Sequence, residues 1–191
     1  MTTLRELNGF DQTPATLADS ALILVDYQNT YTQGVMELTD WRPALDAAAE
    51  LLTRAREAGA TVIHVINDGG VGTLYDITTD IGRIHPAVAP APDEQVIVKT
   101  VPNAFVDTDL GAAIDAAGTK SVVIAGFMTH MCVTFTTEGA FLRGNTPTVV
   151  ANACATRSLG NVPADQIHAA ALATLTDLYA VVVPTAASLT S

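Results

Sequence analysis

Apolar residues gather in six short runs, Ala21–Val25, Thr61–Ile66, Gln95–Val98, Ser121–Ala125, Pro147–Ala151 and Ala180–Val183, each bounded by turn-forming residues. Runs this short and this uniformly apolar predict strands buried on both faces. Between them the spacing turns helical: Trp41–Ala58 stops at Gly59, Thr108–Ala117 at Gly118 and Val133–Arg143 at Gly144, while Ala164–Leu178 follows Pro163. Glycine just past a helix end and proline near its start are the expected punctuation. Strand alternating with helix predicts an α/β fold, doubly wound, with a mostly parallel six-stranded sheet, helices on both faces and right-handed crossovers. One stretch breaks the alternation. Asn67–Glu94 is long and rich in Gly, Pro and Asp, and such loops in compact domains often carry function. It is expected to wall an active site or form a subunit contact. No repeat, low-complexity tract or linker divides the sequence, so residues 1–191 are expected to form one domain.

Composition narrows the function classes. The chain is 49% hydrophobic and 15% charged, too apolar for a disordered segment and suited to a sheet covered on both sides or to an extensive subunit interface. Nine basic residues against twenty acidic ones give a net charge of −11. A field of that sign repels polyphosphate and anionic lipid, which speaks against nucleic acid and membrane as partners. No segment approaches ~18 uninterrupted apolar residues, and Met1 to Ser20 has no apolar core of signal-peptide type. A soluble, cytoplasmic protein is expected. Its two cysteines, Cys132 and Cys154, are too few for a disulfide framework and read as free thiols.

Ligands of open α/β sheets bind beyond the carboxyl ends of the strands, so polar residues there are the first candidates. Asp26 closes the first strand, where an aspartate also serves as a turn cap. Lys99 closes the third, where a lysine is also at home in solvent. The strongest segment is Val122-Val-Ile-Ala-Gly126-Phe-Met-Thr-His-Met-Cys132-Val133. Here a buried strand runs into a turn, and the cysteine is expected to open the next helix, whose dipole favours thiolate. A buried structural cysteine is the alternative. All three residues lie at strand ends and can therefore converge. A carboxylate can take the thiol proton, and a lysine between them is expected to lower both pKa values. The thiolate would attack a carbonyl carbon, with backbone N–H groups of the Cys132 turn receiving the oxyanion, and water would release the acid from an acyl-enzyme.

With these residues in order, the chain resembles the isochorismatase-like cysteine hydrolases, the superfamily that includes nicotinamidase, N-carbamoylsarcosine amidohydrolase and streptothricin hydrolases. The resemblance runs from Leu22-Ile-Leu-Val-Asp26-Tyr-Gln28-Asn29 through Val98-Lys99-Thr-Val-Pro-Asn103-Ala-Phe105 to Gly126-Phe-Met-Thr-His-Met-Cys132-Val133. It implies Asp26 as general base, Lys99 as electrostatic partner and Cys132 as nucleophile. It also implies a cis peptide before Met128, with the Met128 and Cys132 amides as the oxyanion hole, and a homo-oligomer, dimer or tetramer. Ile84-His85-Pro86-Ala87 and Ala151-Asn152-Ala153-Cys154-Ala155-Thr156-Arg157 resemble the streptothricin-hydrolase branch.

Nicotinamidases of this superfamily carry an Asp-x-His pair and further histidines that bind a metal. Here Asn67-Asp68-Gly69-Gly70 ends the second strand with no histidine in that spacing, and His64, His85, His130 and His168 form no local ligand pair, so no metal and no cofactor are expected. All four histidines read as structural, with His85, in the long loop, the most open to another role. The superfamily's isochorismatases lack the cysteine, and a thiolate has no evident task in cleaving a vinyl ether. Around the three candidates, Gln28, Asn103, Phe105 and Phe127 are expected to bind substrate; Asn29, Tyr31 and Trp41 follow the first strand and are also placed to face the pocket. Turn capping is the alternative for Gln28 and Asn103, and packing for the aromatics. Cys154, flanked by alanines, reads as packing, and Arg157 as a partner for a substrate carboxylate or for a neighbouring subunit. The expected activity is cleavage of a small-molecule amide, carbamoyl or lactam bond. A metal-assisted nicotinamidase-type amidase, and a non-catalytic scaffold or redox sensor that oxidises at Cys132, are the rivals.

Overall fold

Ser20–Val25 (β1) is buried at all six positions. Successive side chains of a strand point to opposite faces, so both faces of the sheet are covered at its centre. The structure, a computed structural model, describes residues 2–190. The remaining strands are Thr61–Asn67 (β2), Gln95–Lys99 (β3), Ser121–Gly126 (β4), Thr146–Val150 (β5) and Val181–Val183 (β6). They form one sheet in the order β3-β2-β1-β4-β5-β6, every pair parallel. The order reverses between β1 and β4. In a sheet of this kind, that switch point is where a crevice opens beyond the carboxyl ends.

The helices are Leu4–Leu7 (α1), Trp41–Glu57 (α2), Leu110–Ala116 (α3), Thr134–Leu142 (α4) and Ala164–Thr174 (α5). α2 buries Trp41, Ala44, Leu45, Ala48, Leu51, Leu52 and Ala55. That spacing of three and four is the apolar stripe of a helix laid on a sheet. α1 lies where the hydrophobic pattern predicts nothing; a capping box, with the Thr3 side chain on Glu6 N–H and the Glu6 carboxylate on Thr3 N–H, starts it. α3 begins two residues later than expected because Thr108 is used by the preceding turn: its hydroxyl donates to the Ala104 carbonyl and accepts from Leu110 N–H. α5 ends in a π-helical turn, Leu175–Tyr179.

Two polar clasps order the long loop after β2. Asp76, buried, accepts from the N–H groups of Gly72 and Thr78 and from the Thr78 hydroxyl. At the far end Glu94 takes Arg56 Nε and Nη2 (2.7 and 2.8 Å), His64 Nε2 (2.9 Å) and the Ala91 N–H (2.8 Å), tying the entry of β3 to α2 and β2. Burial alone would raise the Glu94 carboxyl, but these donors outweigh it and hold it at about 2. The edge strand β3 leaves Val96 and Val98 exposed. Among the described residues no helix is long and apolar enough to cross a membrane.

Candidate active site

β1 delivers Asp26 to the switch point and the chain turns there at once. Asp26 has φ +54°, a left-handed conformation that aspartate tolerates better than most side chains. Its N–H donates to Val65 O at 2.9 Å, and its carbonyl accepts from Gln28 N–H at 2.8 Å. Backbone held in this region costs of order 1–3 kcal/mol and persists where its surroundings over-determine it. Gln28 supplies part of that support. Fully buried, it donates from Nε2 to the carbonyls of Asn67 (2.9 Å) and Gly82 (2.6 Å) and accepts at Oε1 from Asn67 N–H (2.9 Å).

Lys99 is the last residue of β3 and pairs in register with Asn67 of β2. Its side chain has no solvent contact, and neither has that of Asp26, 2.7 Å from Lys99 Nζ. The same ammonium donates to Asn67 Oδ1 at 3.3 Å and to Cys132 Sγ at 3.4 Å. The Lys99–Asp26 contact is an ion pair with both side chains fully buried.

Cys132 arrives from the other side of the switch point. Gly126 ends β4 where a Cβ would lie 2.2 Å from the Val25 carbonyl oxygen, so only glycine lets the two strands close at this level. Phe127 N–H then donates to Val25 O, and the Phe127–Met128 peptide is cis. Thr129–Val133 forms one π-helical turn that runs into α4. Cys132 thus lies in the turn before the α-helix rather than at its first residue. Three bonds fix this turn: Thr129 N–H to Ala155 O (3.0 Å), Thr129 Oγ1 with His168 Nδ1 of α5 (2.9 Å), and His130 Nδ1 with Thr156 Oγ1 (2.6 Å). The Met128 carbonyl accepts from Met131 and Val133.

The electrostatics correct one expectation. Lys99 does not bring both acids down. Burial raises the Asp26 carboxyl against the opposing pull of Lys99, and burial followed by the nearby Asp26 charge pushes the Cys132 thiol up to about 12. Desolvation outweighs the pull of the ammonium here. The Cys132 thiol is thus held above its ordinary value beside a carboxyl that burial also raises.

The neighbouring candidates divide. Phe127, expected to contact substrate, has no exposed surface and packs edge-on against Tyr27 and Tyr31, with centroids at 4.7 and 6.0 Å. Gln28 likewise presents no free amide. Asn103 caps its own turn, accepting from Phe105 N–H at 2.9 Å. Asn103 and Phe105 both close on Gly139 of α4, where a Cβ would meet them at 2.7 and 2.9 Å. His85 accepts from Ala87 N–H and lies against Trp41, a structural role for the histidine taken as most open to another. Cys154 donates to Val150 O and is also pushed up to about 12 by burial.

Two further residues belong to the site. Asn67 shares Lys99, a consequence of strand register. Tyr75, from the long loop, packs against Tyr31 at 5.8 Å, and both phenols are raised by burial and then by neighbours that include Asp26 and Cys132. Among the described residues no three His, Cys, Asp or Glu side chains gather as a metal-binding group. A cleft of about 600 Å³ lies at the opposite end of the sheet, between Arg5, Phe10, Phe141 and Thr148, away from these residues. Cys132 itself is 7% exposed.

The Isochorismatase domain model matches residues 20–187. The crystal structure of an isochorismatase from Pseudomonas putida KT2440 superposes with a TM-score of 0.95 at 37% identity, covering 99% of each chain. Among curated relatives with a named activity, a streptothricin hydrolase of Streptomyces noursei is 36% identical over 143 residues, 75% of this chain and 52% of its own. The maleamate amidohydrolase of Pseudomonas putida is 30% identical over 155 residues, 71% of this chain and 69% of its own.

Proposed function

The chain belongs to the isochorismatase family and is a hydrolase of that family; from this premise we propose that it cleaves a C–N bond of a small molecule through an acyl-enzyme on Cys132. One observation carries the reading: Lys99 Nζ stands 2.7 Å from Asp26 and 3.4 Å from Cys132 Sγ at the carboxyl edge of the sheet. The amidohydrolase among its relatives supports an amide-type bond.

In this mechanism Asp26 takes the thiol proton as Sγ attacks the carbonyl carbon. A thiol held near 12 needs such a base, and a carboxylate raised by burial is a better one than a solvated carboxylate. The oxyanion develops against the Met128 and Cys132 N–H groups. Asp26 returns the proton to the leaving nitrogen and a thioester remains. Water, deprotonated by Asp26, then attacks the thioester, the acid departs and the thiol is restored. Lys99 opposes the effect of burial on Asp26 and holds its carboxyl next to the thiol. Gln28 and Phe127 act from behind, holding the loop and the nucleophile turn, while Asn103 and Phe105 shape one wall. Two free thiols suit a cytoplasmic location, and the exposed Val96 and Val98 suit a homo-oligomer.

The test is turnover of a panel of small amides, carbamoyl compounds and lactams by the purified protein. The Cys132→Ala, Asp26→Asn and Lys99→Met variants are each expected to lose at least about 10³-fold in kcat/KM. Retention of activity by Cys132→Ala within tenfold would overturn the reading.

A further inference from the structure

We propose that the chain carries a second binding site, for a small apolar α-amino acid, in the cleft at the amino end of the sheet. The first argument is the way this cleft is built. An amino-terminal arm, residues 4–16, is pinned to the body at both ends. Leu4 N–H reaches Asp177 Oδ1 (3.0 Å) and Arg5 Nη1 reaches Leu178 O (3.1 Å), while Ala15 N–H reaches Thr148 Oγ1 (2.9 Å). Between these pins, residues 8–14 hydrogen-bond only within the arm among the described residues. Phe10 meets the body through its ring, edge-on to Phe141 of α4 with centroids 5.5 Å apart. The space of about 600 Å³ between arm and body reaches Ser121, Thr146 and Val181, the first residues of β4, β5 and β6. A volume of this order suits a small molecule. Asp26, Lys99 and Cys132 take no part in its walls.

The second argument is an unmet bonding demand inside the cleft. Arg5 lines it and is only 6% exposed. A guanidinium carries five N–H donors. Two are spent on the Leu178 and Asp11 carbonyls, at 3.1 and 2.5 Å, while Nε is buried without an acceptor. Both partners are neutral, and among the described residues Arg5 makes no ion pair. A buried donor left unpaired is costly and calls for an explanation. Nε and Nη2 form one edge of the planar fork that a carboxylate matches. The Phe10 ring centroid is 5.9 Å from the guanidinium carbon, so a carboxylate and an apolar body are received side by side.

Charge supplies the third. Two exposed carboxylates, Asp11 and Asp19, line the cleft beside this one buried cation, and neither ion-pairs with a base among the described residues. A simple anion must pass both acids in a chain of net charge −11, and a simple cation meets Arg5. A ligand with both signs close together answers both. Its carboxylate sits on Arg5, its ammonium faces the acidic rim, and its side chain lies against Phe10 and Phe141.

The test is titration calorimetry of the wild-type protein with phenylalanine, hydrocinnamate, phenethylamine and glycine. The second and third probes keep the ring with one charge only, and the fourth keeps both charges without the ring. Phenylalanine is expected to bind at least about tenfold tighter than each of the others. Arg5→Gln is expected to lose at least about tenfold in affinity and Arg5→Lys to recover only part of it, because an ammonium lacks the fork. Since Arg5 also ties down the arm, Thr146→Phe serves as the second variant: it fills the cleft from an exposed position at the start of β5, leaves the bonds of Arg5 in place and is expected to abolish binding. Hydrogen exchange gives a structural readout, with phenylalanine expected to slow residues 8–14 and leave residues 127–133 unchanged. Cys132→Ala is expected to bind phenylalanine as the wild type does, which keeps this site distinct from the catalytic one. Phenylalanine bound no tighter than the singly charged probes, binding that survives both Arg5→Gln and Thr146→Phe, or protection at the nucleophile turn instead of the arm overturns the assignment.

Discussion

Asp26, Lys99 and Cys132 form a buried group in which one ammonium faces two acids, so their protons are coupled. The sign of that coupling sets an observable. Asp26 is raised above its ordinary 3.8 by burial; below its folded pKa the carboxyl is protonated and cannot accept the thiol proton. Turnover is thus present above that pKa and lost as pH falls through it. A kcat/KM profile of the wild-type protein is expected to show an acid limb above the usual carboxylate range, and a limb at or below 3.8 would contradict the assignment of Asp26 as base. These three residues were legible in the sequence because strand ends mark the carboxyl edge, where side chains from distant segments meet. The supporting residues were less so. Gln28 and Phe127 follow the same edge, but whether such a side chain faces a ligand or the core depends on loop packing that no local pattern encodes. Tyr75 left no signal beyond its place in a long loop.

The elements carry the site through a few contacts at their ends. Glu94 is the clearest, joining α2, β2 and the start of β3 through Arg56 and His64. Its carboxyl is depressed from 4.5 to about 2, so it contributes stability that is present above 4.5 and lost as pH falls toward 2. His64 works in the same direction: burial lowers it below 6.5, and the fold, which disfavours the charged ring, weakens as pH drops below that value. Urea unfolding of Glu94→Gln at pH 7 is expected to show a loss of about 2 kcal/mol, the scale of hydrogen bonds to a charged group. The gap to wild type should narrow as pH falls from 4.5 toward 2, and a gap independent of pH would rule out the clasp as its source. Periodicity located the strands to within about a residue, but stopped short at the carboxyl ends of β2, β3 and β4, where Asn67, Lys99 and Gly126 still pair in the sheet. Polar and glycine residues end an apolar run before they end a strand. The π-helical turn under Cys132 was missed because its pattern resembles an ordinary helix start.

At the scale of the molecule, alternation of strand and helix was enough to foresee a parallel sheet with covered faces, while the order β3-β2-β1-β4-β5-β6 depends on which strands pair, a non-local choice. That order puts β1 and β4 side by side at the switch point and leaves β2 between β1 and β3, so Lys99 reaches Asp26 across the end of β2. Asp26, just after β1, and Cys132, in the turn that follows β4, then both come within reach of Lys99. The architecture thus brings a carboxyl, an ammonium and a thiol into one buried spot, the arrangement on which the proposed covalent capture of the acyl group rests. Rapid-quench mass spectrometry of the wild-type protein with its best amide substrate reads this out. A transient adduct with the mass of the acyl fragment is expected on the peptide containing Cys132. Turnover that proceeds at the same rate in Cys132→Ala, with no adduct on the wild-type peptide, would contradict the account.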